Sequence, residues 1–514
     1  MREGKETPVT SLPARTEVLV VGAGFAGLAA AARLVGRGFD DVTVIERAAT
    51  VGGTWRDNHY PGAACDVPSQ LYSLSFAPNP DWSHSFSRQA EIQAYLESVA
   101  DRFGLRPRIV TETTLLEAAW DDAAGLWRVR TSRGEIAARF LVSATGALSE
   151  PMIPDLPGLD AFGGEVWHSA RWRHDVDLRG KRVAVVGTGA SAVQIVPVVA
   201  RQAKSVVLLQ RTPAWILPRV DRRLSRWEKA AYRRFPRLQR AVRRAIFWGR
   251  EIFVLGFTVQ PRLMALPRRI ALRHLHRQVP DPVLRAKLTP SYAIGCKRIL
   301  ISSDFYPALS QPHVELVGAG LTGATAGRIT TSDGGRHEVD VLVFATGFRV
   351  TDLPVSRQIR GRAGDTLEQA WGDGMHAHRG TTVPGFPNLF LVVGPNTGLA
   401  HSSQLFMIES QVEYVVKALE HARGEQAQVL EVRAEPEARW NTQVQRRMRR
   451  TVWVVGGCSS WYLDARGRNT ALWPGGSWRF RLALRRFDAA AYRFERRADD
   501  ALVTERADPL AASS

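Results

Sequence analysis

Cysteine is scarce in this chain of 514 residues, and its few positions form no pattern. Cys65, Cys296 and Cys458 lie far apart, and no two of them have the Cys-x-x-Cys spacing of a redox dithiol. The sequence therefore argues against electrons leaving through a cysteine pair. Three cysteines without a pattern fit a reducing cytoplasm, so we expect a cytoplasmic protein. No metal site is predicted.

Long hydrophobic runs are also lacking. The most apolar stretch, residues 246–259, is interrupted by Arg250 and Glu251 and is too short to span a bilayer. The first six residues contain no apolar segment of the kind that a secretory signal peptide requires. Neither a membrane-spanning helix nor a signal peptide is therefore expected.

Acidic residues are too few to balance the basic ones. Lysine and arginine number 69 against 50 aspartates and glutamates, which gives a formal net charge of +19. Anionic cofactors would account for only a few of these charges. No zinc-finger spacing, RNA-recognition signature or basic-zipper pattern accompanies the excess, so no nucleic-acid partner is predicted.

Most of the excess arginine lies in two segments, Arg222 to Arg277 and Arg439 to Arg486. The first segment also carries many large apolar residues, which are Trp227, Tyr232, Phe235, Ile246, Phe247, Trp248, Phe253 and Phe257. A basic, aromatic helical stretch can lie on an anionic membrane surface. Alternatively, it is a solvated helical insertion whose aromatic side chains face the core or a substrate. The sequence leaves both interpretations open.

Two dinucleotide-binding fingerprints are the most informative feature that the sequence does contain. The first consists of Gly22, Gly24 and Gly27, and the second of Gly187, Gly189 and Ala192, each in the spacing G-x-G-x-x-G/A. Each follows an apolar run and opens a helical pattern, which is the context that the motif requires. The glycines let the backbone approach a pyrophosphate, and the helix N-terminus supplies amide donors. Two nucleotide cofactors are therefore predicted.

The residues that follow the second strand of each unit distinguish the two cofactors. In the first unit that strand ends in Glu46, whose carboxylate suits the free ribose hydroxyls of FAD or NAD. In the second unit the corresponding strand is followed by Arg211 and Thr212, with no acid. An arginine fork suits a phosphate, so this site is predicted to prefer NADPH. FAD and NADPH together indicate a flavin reductase or a flavin monooxygenase.

The predicted fold class is α/β, with two Rossmann-like dinucleotide-binding domains and a helical insertion. The predicted boundaries are 1–155 for the first part of the FAD domain, 156–334 for the NADPH domain with the insertion near 220–289, 335–420 for the return to the FAD domain, and 421–514 for an arginine-rich C-terminal segment. Residues 1 to about 16 are expected to form a flexible leader. The turn 394–398, between a buried strand and a helix, is a further place where a ligand is expected, and Asn396 is predicted to contact a cofactor.

Two longer motifs resemble those of a known family. Residues 52–66 match the long fingerprint of Baeyer–Villiger monooxygenases, including Trp55, Tyr60, Gly62 and Asp66. Residues 162–172 resemble the short signature of class B flavin monooxygenases, with the tryptophan ending of the Baeyer–Villiger form. The family usually continues with Pro or Asp after that tryptophan, whereas this chain has Arg173. The resemblance covers roughly residues 17–420.

The resemblance implies a reaction and roles for particular residues. In the family, reduced FAD reacts with O2 to give a peroxyflavin, whose anion converts a ketone into an ester or lactone. Arg298 then resembles the cation that keeps the peroxide anionic, and Asp66 the acid that orients it. Lys297 would join Arg211 and Thr212 around the 2′-phosphate of NADPH. Thr54 and Trp55 are predicted to contact a cofactor, and His168 to act at the domain hinge. An apolar ketone is the expected substrate.

Two alternatives stay open at the level of sequence. A flavin monooxygenase of the same architecture that oxygenates sulfur or nitrogen would carry the same glycine motifs. A basic protein that binds membrane or nucleic acid on a degenerate flavin fold would need no catalytic residues at all.

Overall fold

The computed structural model describes residues 11–372 and 374–496. Residues 1–10 of the predicted leader lie outside the described residues, and the first strand begins at Arg15. Five short 3-10 helices connect the larger elements, at Arg106–Arg108, Ser169–Arg171, Pro261–Met264, Pro354–Arg357 and Ala489–Ala491.

The first βαβ unit opens a large sheet. Its elements in chain order are β1 (Arg15–Val21), α1 (Phe25–Val35), β2 (Val42–Ile45), α2 (Thr54–Asp57), α3 (Gln89–Arg102), β3 (Ile109–Val110), β4 (Leu115–Asp121), β5 (Leu126–Thr131) and β6 (Gly134–Ser143). β1 pairs in parallel with β2 on one side and with β6 on the other, while β5 pairs antiparallel with β4 and β6. Strands buried on both faces read as continuous apolar runs, which is why Val18 to Val21 signalled β1 so clearly.

A second unit with its own sheet follows the proline-rich linker. Its elements are β7 (Glu165–His168), β8 (Arg182–Val186), α4 (Ala190–Val199), β9 (Ser205–Leu209), β10 (Ile216–Leu217), α5 (Arg226–Arg234), α6 (Pro236–Glu251), α7 (Phe253–Thr258), α8 (Ala265–Gln278), α9 (Pro282–Leu288), β11 (Leu300–Ile301), α10 (Phe305–Leu309), β12 (Val314–Val317), β13 (Leu321–Thr325), β14 (Arg328–Thr331), β15 (Arg336–Glu338) and β16 (Val341–Phe344). The parallel sheet has the order β12-β9-β8-β16-β7. The helices α5 to α9 form the predicted insertion.

The chain then returns to the first sheet. The remaining elements are β17 (Ile359–Arg360), α11 (Leu367–Trp371), β18 (Leu389–Leu391), α12 (Gln404–Gly424), β19 (Val429–Val432), α13 (Ala434–Met448), α14 (Val452–Val455), α15 (Ser477–Ala483) and β20 (Tyr492–Glu495). β17 pairs with β4 and β18 with β6, both in parallel. The α/β class with two dinucleotide-binding units is thereby confirmed.

Two predicted boundaries need adjustment. The return was placed at residue 335, but β16 lies between β8 and β7 in the second sheet, so the chain leaves that sheet only after Phe344. The segment from 421 onward is more than an arginine-rich tail within the described residues. β19 pairs with β20, and Leu430, Trp473 and Phe480 are buried in the core that packs against the first sheet.

Some aromatic residues of the insertion are buried and others are exposed to solvent. Tyr232, Phe247 and Phe257 are buried, as expected of an insertion that faces the core. Trp227, Phe235, Trp248 and Phe253 remain exposed, with exposed fractions from 40% to 73%. Among the described residues, no helix is both long enough and apolar enough to cross a membrane.

Candidate functional site

The first glycine turn is shaped by close approaches between backbone segments. Gly22 has a φ of +103°, and a Cβ there would lie 2.8 Å from the carbonyl oxygen of Ala144. A Cβ on Gly27 would lie only 1.7 Å from the carbonyl oxygen of Gly22. A Cβ on Gly24, in contrast, would meet no protein atom nearer than 3.6 Å, at Gly53. Gly22 and Gly27 therefore shape the turn, whereas Gly24 leaves open space beside it.

The second glycine turn repeats this arrangement in the other sheet. Gly187 has a φ of +110°, and a Cβ there would lie 2.7 Å from the carbonyl oxygen of Ala345. A Cβ on Gly189 would meet nothing within 4 Å, while Ala192 is fully buried against the sheet. Ala144 and Ala345 each begin an Ala-Thr-Gly sequence, at 144–146 and 345–347. Their carbonyl groups therefore limit the space at Gly22 and Gly187 in the two fingerprints.

Both fingerprint helices present amide donors at their N-termini. α1 begins after Gly24 and α4 after Gly189, and neither has a side-chain cap or an acidic residue in its first turn. The free N–H groups of a first turn and the helix dipole together favour an anion. With the open space at Gly24 and Gly189, each turn fits a pyrophosphate.

Glu46 follows β2 and is buried beside the first turn. One of its carboxylate oxygens accepts a hydrogen bond from the Ala23 amide at 2.8 Å, and the other accepts from Ala48 at 3.0 Å and from Arg56 at 2.9 Å. A carboxylate accepts about four hydrogen bonds, so capacity for a ribose hydroxyl remains. The carboxylate therefore lies at the strand end where ribose recognition was predicted.

The long fingerprint continues from the first turn. Gly52 donates to the carbonyl of Ala23 at 3.0 Å, and Gly53 packs closely on Gly24, since a Cβ on Gly53 would lie 3.1 Å from the Cα of Gly24. Thr54 and Trp55 begin the short helix α2, and the indole of Trp55 donates to the Tyr72 hydroxyl at 2.9 Å. Both predicted residues therefore lie beside the first glycine turn, and their contact with a cofactor stays a prediction.

The later part of the long fingerprint holds the two dinucleotide units together. The Tyr60 hydroxyl donates to the side-chain oxygen of Gln194 on α4 at 3.0 Å, and the Gln194 amide donates to the carbonyl of Ala64 at 2.9 Å. Gly62 has a φ of +85°, and a Cβ there would lie 2.7 Å from the carbonyl oxygen of Gln194. The motif requires a glycine and a tyrosine here because a helix of the second unit packs directly on it.

Arg211 and Lys297 form a pair of cations beside the second turn. Arg211 is exposed, its side chain packs along Gly320, and it makes no hydrogen bond or ion pair with any residue that the structure describes. Burial and then the nearby charge of Arg211 lower the pKa of Lys297. Thr212 lies beside the turn, because its carbonyl accepts from the Thr188 hydroxyl at 2.9 Å. Two cations held together without a carboxylate suit an anionic group.

Asp66 and Arg298 form a bidentate ion pair. The Nε and Nη2 atoms of Arg298 each donate to one carboxylate oxygen of Asp66 at 2.7 Å. About a quarter of each side chain is exposed. The charge of Asp66 raises the pKa of Arg298 above its ordinary value despite burial. Burial alone would raise the pKa of Asp66, but the charge and hydrogen bonds of Arg298 hold it below its ordinary value.

Two residues beside this pair were not predicted from the sequence. Arg250, from the end of α6, donates to the carbonyl of His401 at 2.8 Å and adds to the lowering of the Asp66 pKa. Tyr462 is buried with no hydrogen-bond partner for its hydroxyl among the described residues, and burial raises its pKa to about 12. Both residues are distant in sequence from Arg298, and only the fold brings them near it. No local motif therefore indicated their role.

Two of the three cysteines form a disulfide that the sequence did not predict. Cys296 and Cys458 form a disulfide across 162 residues, while Cys65 is a buried free thiol. The bond attaches the C-terminal segment to the loop that carries Lys297 and Arg298. Disulfides are uncommon in a reducing cytosol, so this pairing does not support the predicted cytoplasmic location, which stays a prediction.

Asn396 is hydrogen-bonded to other parts of the protein, and His168 is buried. The Asn396 amide donates to the carbonyls of Asn469 and Leu472, each at 2.9 Å, so it holds the C-terminal segment in place. His168 ends β7, and burial lowers its pKa to about 4, so the ring is neutral near neutral pH. The predicted cofactor contact of Asn396 and the hinge role of His168 stay predictions.

The family comparison agrees with this geometry. The model of the flavin-binding monooxygenase-like family matches residues 15–248. A Baeyer–Villiger monooxygenase of Streptomyces coelicolor is 52% identical, covering 92% of each chain. Another, from Pseudomonas aeruginosa, is 47% identical over 94% of this chain and 92% of its own.

Solved structures show the same likeness over nearly the whole chain. An oxidised steroid monooxygenase bound to NADP superposes with a TM-score of 0.82 at 33% identity, covering 93% of this chain and 99% of that one. A complex of OTEMO with FAD and NADP gives a TM-score of 0.85 at 28% identity over the same shares. Cyclohexanone monooxygenase from Rhodococcus sp. Phi1 bound to NADP+ gives 0.83 at 29% identity, covering 94% and 100%.

Proposed function

The chain belongs to the Baeyer–Villiger monooxygenases, and on this premise we propose how its residues divide the work of the reaction. The protein is an FAD- and NADPH-dependent monooxygenase that acts with O2 on a small-molecule ketone. The bidentate pair of Arg298 with Asp66 is the observation that carries the proposal. Membership of this family argues against the non-catalytic alternative.

Arg298 supplies a permanent positive charge at the reacting centre. Its guanidinium cannot lose a proton near neutral pH, and Asp66 raises its pKa further. A fixed cation stabilises negative charge on the oxygen that attacks the ketone carbonyl, and it does so without having to reorganise. A proton donor at the same place would instead protonate that oxygen and weaken it as a nucleophile.

Asp66 acts through Arg298 as a positioning residue. Its two oxygens accept from Nε and Nη2 along one edge of the guanidinium, which fixes the plane of that group. Because the pKa of Asp66 lies below its ordinary value, the pair persists at neutral pH and is lost only on acidification below the ordinary carboxyl range. The nearby positive charge of Arg250 also helps to lower the pKa of Asp66.

The cofactors are assigned to the two turns on their fit to the residues present. Gly24, Gly53, the first turn of α1 and Glu46 would hold FAD, while Gly189, the first turn of α4, Arg211 and Lys297 would hold NADPH. When bound, the flavin accepts two electrons from NADPH and activates O2. The C-terminal segment is attached close to Arg298, by the disulfide of Cys296 with Cys458 and by the hydrogen bonds of Asn396.

Cofactor preference gives a test of Arg211. We expect Arg211→Ala to weaken NADPH binding by about 1–3 kcal/mol while NADH binding is unchanged, because only NADPH carries the 2′-phosphate. The ratio of Michaelis constants for the two nucleotides measures this directly. Arg179→Ala removes an exposed arginine of the same unit that is paired with Asp177, and it should leave the ratio unchanged. Equal Michaelis constants for both nucleotides in the unaltered protein would contradict the assignment.

The reaction itself is tested with two substrates of different chemistry. We expect oxygen-dependent NADPH consumption with an apolar cyclic ketone to yield one lactone per turnover, detected by mass spectrometry. A thioether offered to the same preparation should give sulfoxide only as a slower side reaction. If sulfoxide forms efficiently while no ketone in a panel yields an ester, the heteroatom-oxygenating alternative is correct instead.

A further inference from the structure

The outer surface of the helical insertion is apolar although it faces solvent. On α7, α8 and the turn between them, inward side chains such as Phe257 and Met264 are buried in the core. The outward side chains are aliphatic as well, with exposed fractions of 68% for Ile252, 71% for Val259, 56% for Leu263 and 65% for Leu266. A surface helix in water normally turns a polar face outward, so this surface resembles one that meets an apolar phase.

We call this surface, with the arginines beside it, the insertion face; it comprises the exposed side chains of residues 248–277. Its arginines have no carboxylate partners among the described residues, although Arg268 lies over the ring of Trp215. Arg262, Arg268, Arg269, Arg273 and Arg277 are exposed, and none makes an ion pair or hydrogen bond with a residue that the structure describes. The sequence contains no acidic residue between Glu251 and Asp281, and Glu251 itself is buried against His401 and Ser477.

Several exposed arginines elsewhere on the molecule are, in contrast, paired with carboxylates. Arg128 is paired with Asp121, Arg179 with Asp177, and Arg357 with Glu368. The insertion face differs from these places because its arginines lack ion pairs and lie beside exposed aliphatic side chains.

A groove extends the insertion face onto the C-terminal segment. A cavity of about 660 Å³ lies between Leu255 and Val259 of the insertion and Trp478 of α15. Its remaining wall carries four arginines, which are Arg446, Arg447, Arg450 and Arg479. No acidic residue occurs in residues 438–463 of the sequence. The groove thus combines apolar walls with a basic rim.

We propose that the insertion face docks the protein on a lipid bilayer that carries anionic headgroups. The aliphatic and aromatic side chains would lie at the boundary between headgroups and acyl chains, and the arginines would bind headgroup phosphates. A nucleic acid would use the arginines but leave the aliphatic side chains in water. A second copy of the chain in a symmetric contact would place arginine against arginine. Of these three partners, the anionic bilayer is the one that matches both the aliphatic side chains and the arginines.

Docking in this way would bring the candidate site close to the membrane. Trp248, which is 55% exposed, belongs to the insertion face, and two residues later Arg250 donates to the carbonyl of His401 beside Asp66. An apolar ketone dissolved in the bilayer would therefore be concentrated near the site. The membrane proposal does not depend on the ketone chemistry, because a protein that docks on a membrane could equally oxidise a water-soluble ketone.

Vesicle co-sedimentation of the full-length holoprotein tests the proposal. We expect the protein to sediment with phosphatidylcholine vesicles that contain phosphatidylglycerol, weakly with phosphatidylcholine alone, and less as salt is raised. The triple variant Arg262→Gln, Arg269→Gln and Arg273→Gln should bind on the order of 100-fold more weakly, at about fivefold for each charge lost. A second variant, Ile252→Ser, Val259→Ser and Leu266→Ser, should also lose binding although its charge is unchanged.

A matched control removes three charges elsewhere. The variant Arg128→Gln, Arg179→Gln and Arg357→Gln has the same net charge as the first variant and should keep its vesicle binding. Bound flavin confirms that all variants are folded.

The proposal is wrong if this control loses binding as strongly as the first variant, or if the protein sediments with neither kind of vesicle. A solution dimer that the serine variant dissociates would assign the surface to a second copy. Oligonucleotide binding that the serine variant retains would assign it to nucleic acid.

Discussion

Replacement of Arg298 by alanine is expected to abolish ester formation while FAD remains bound and NADPH is still oxidised. The glycine turns and Glu46 that fit the cofactors do not include Arg298, so their binding does not depend on its charge. The reacting oxygen, however, would lose the cation that stabilises it as a nucleophile. Loss of one preorganised donor typically lowers a rate by about 10²–10³, and loss of a full charge should cost at least as much.

Ester and hydrogen peroxide should be measured together under saturating NADPH. In the alanine variant we expect hydrogen peroxide to account for nearly all the NADPH consumed. Arg298→Lys is an informative control because it keeps a positive charge but cannot form the double contact with Asp66. It should lie between the unaltered protein and the alanine variant, as should Asp66→Ala. An ester yield near normal in Arg298→Ala would make Arg298 a structural residue and overturn the mechanistic proposal.

The sequence predicted the local parts of this molecule well because their signals are local. A buried parallel strand, a glycine turn and a helix start follow one another within about ten residues around Gly22 and around Gly187, so each unit could be identified from its own stretch. The pairing of Asp66 with Arg298, which lie 232 residues apart, was expected only from the family resemblance, and the structure places the two in contact.

The features that the sequence did not predict depend on long-range packing. Arg250 reaches the site from an insertion, Tyr462 from the C-terminal segment, and Cys458 pairs with Cys296 across 162 residues. None of these residues has a neighbour in sequence that marks its role. The membership of β16 in the second sheet was missed for a related reason, since an apolar run does not reveal which sheet it enters.

The exposed aromatic residues of the insertion illustrate the same limit. Apolar side chains lie on more than one side of α6 and of α7, so helical periodicity alone does not tell which of them face the core. Phe247 proved to be buried, while Trp248, the next residue, proved to be exposed. Only the packing of the insertion on the two dinucleotide units resolves that choice.

Replacement of Gly24 by valine is expected to weaken flavin binding roughly 10- to 100-fold without unfolding the protein. A Cβ at this position would meet no protein atom nearer than 3.6 Å, and the φ of −80° and ψ of −166° are allowed for valine. The new side chain would instead occupy the open space beside Gly24 that fits a pyrophosphate. Overpacking of this kind typically costs about 1–3 kcal/mol.

Gly189→Val provides the matched control, because the second turn has nearly the same geometry. Its φ is −78°, its ψ is −172°, and a Cβ there would meet nothing within 4 Å. This variant should keep its flavin absorbance but be reduced slowly by NADPH, whereas Gly24→Val should be purified largely colourless with a circular dichroism spectrum like that of the unaltered protein. Full flavin occupancy in Gly24→Val, or flavin loss in Gly189→Val alone, would show that the two cofactors had been assigned to the wrong turns.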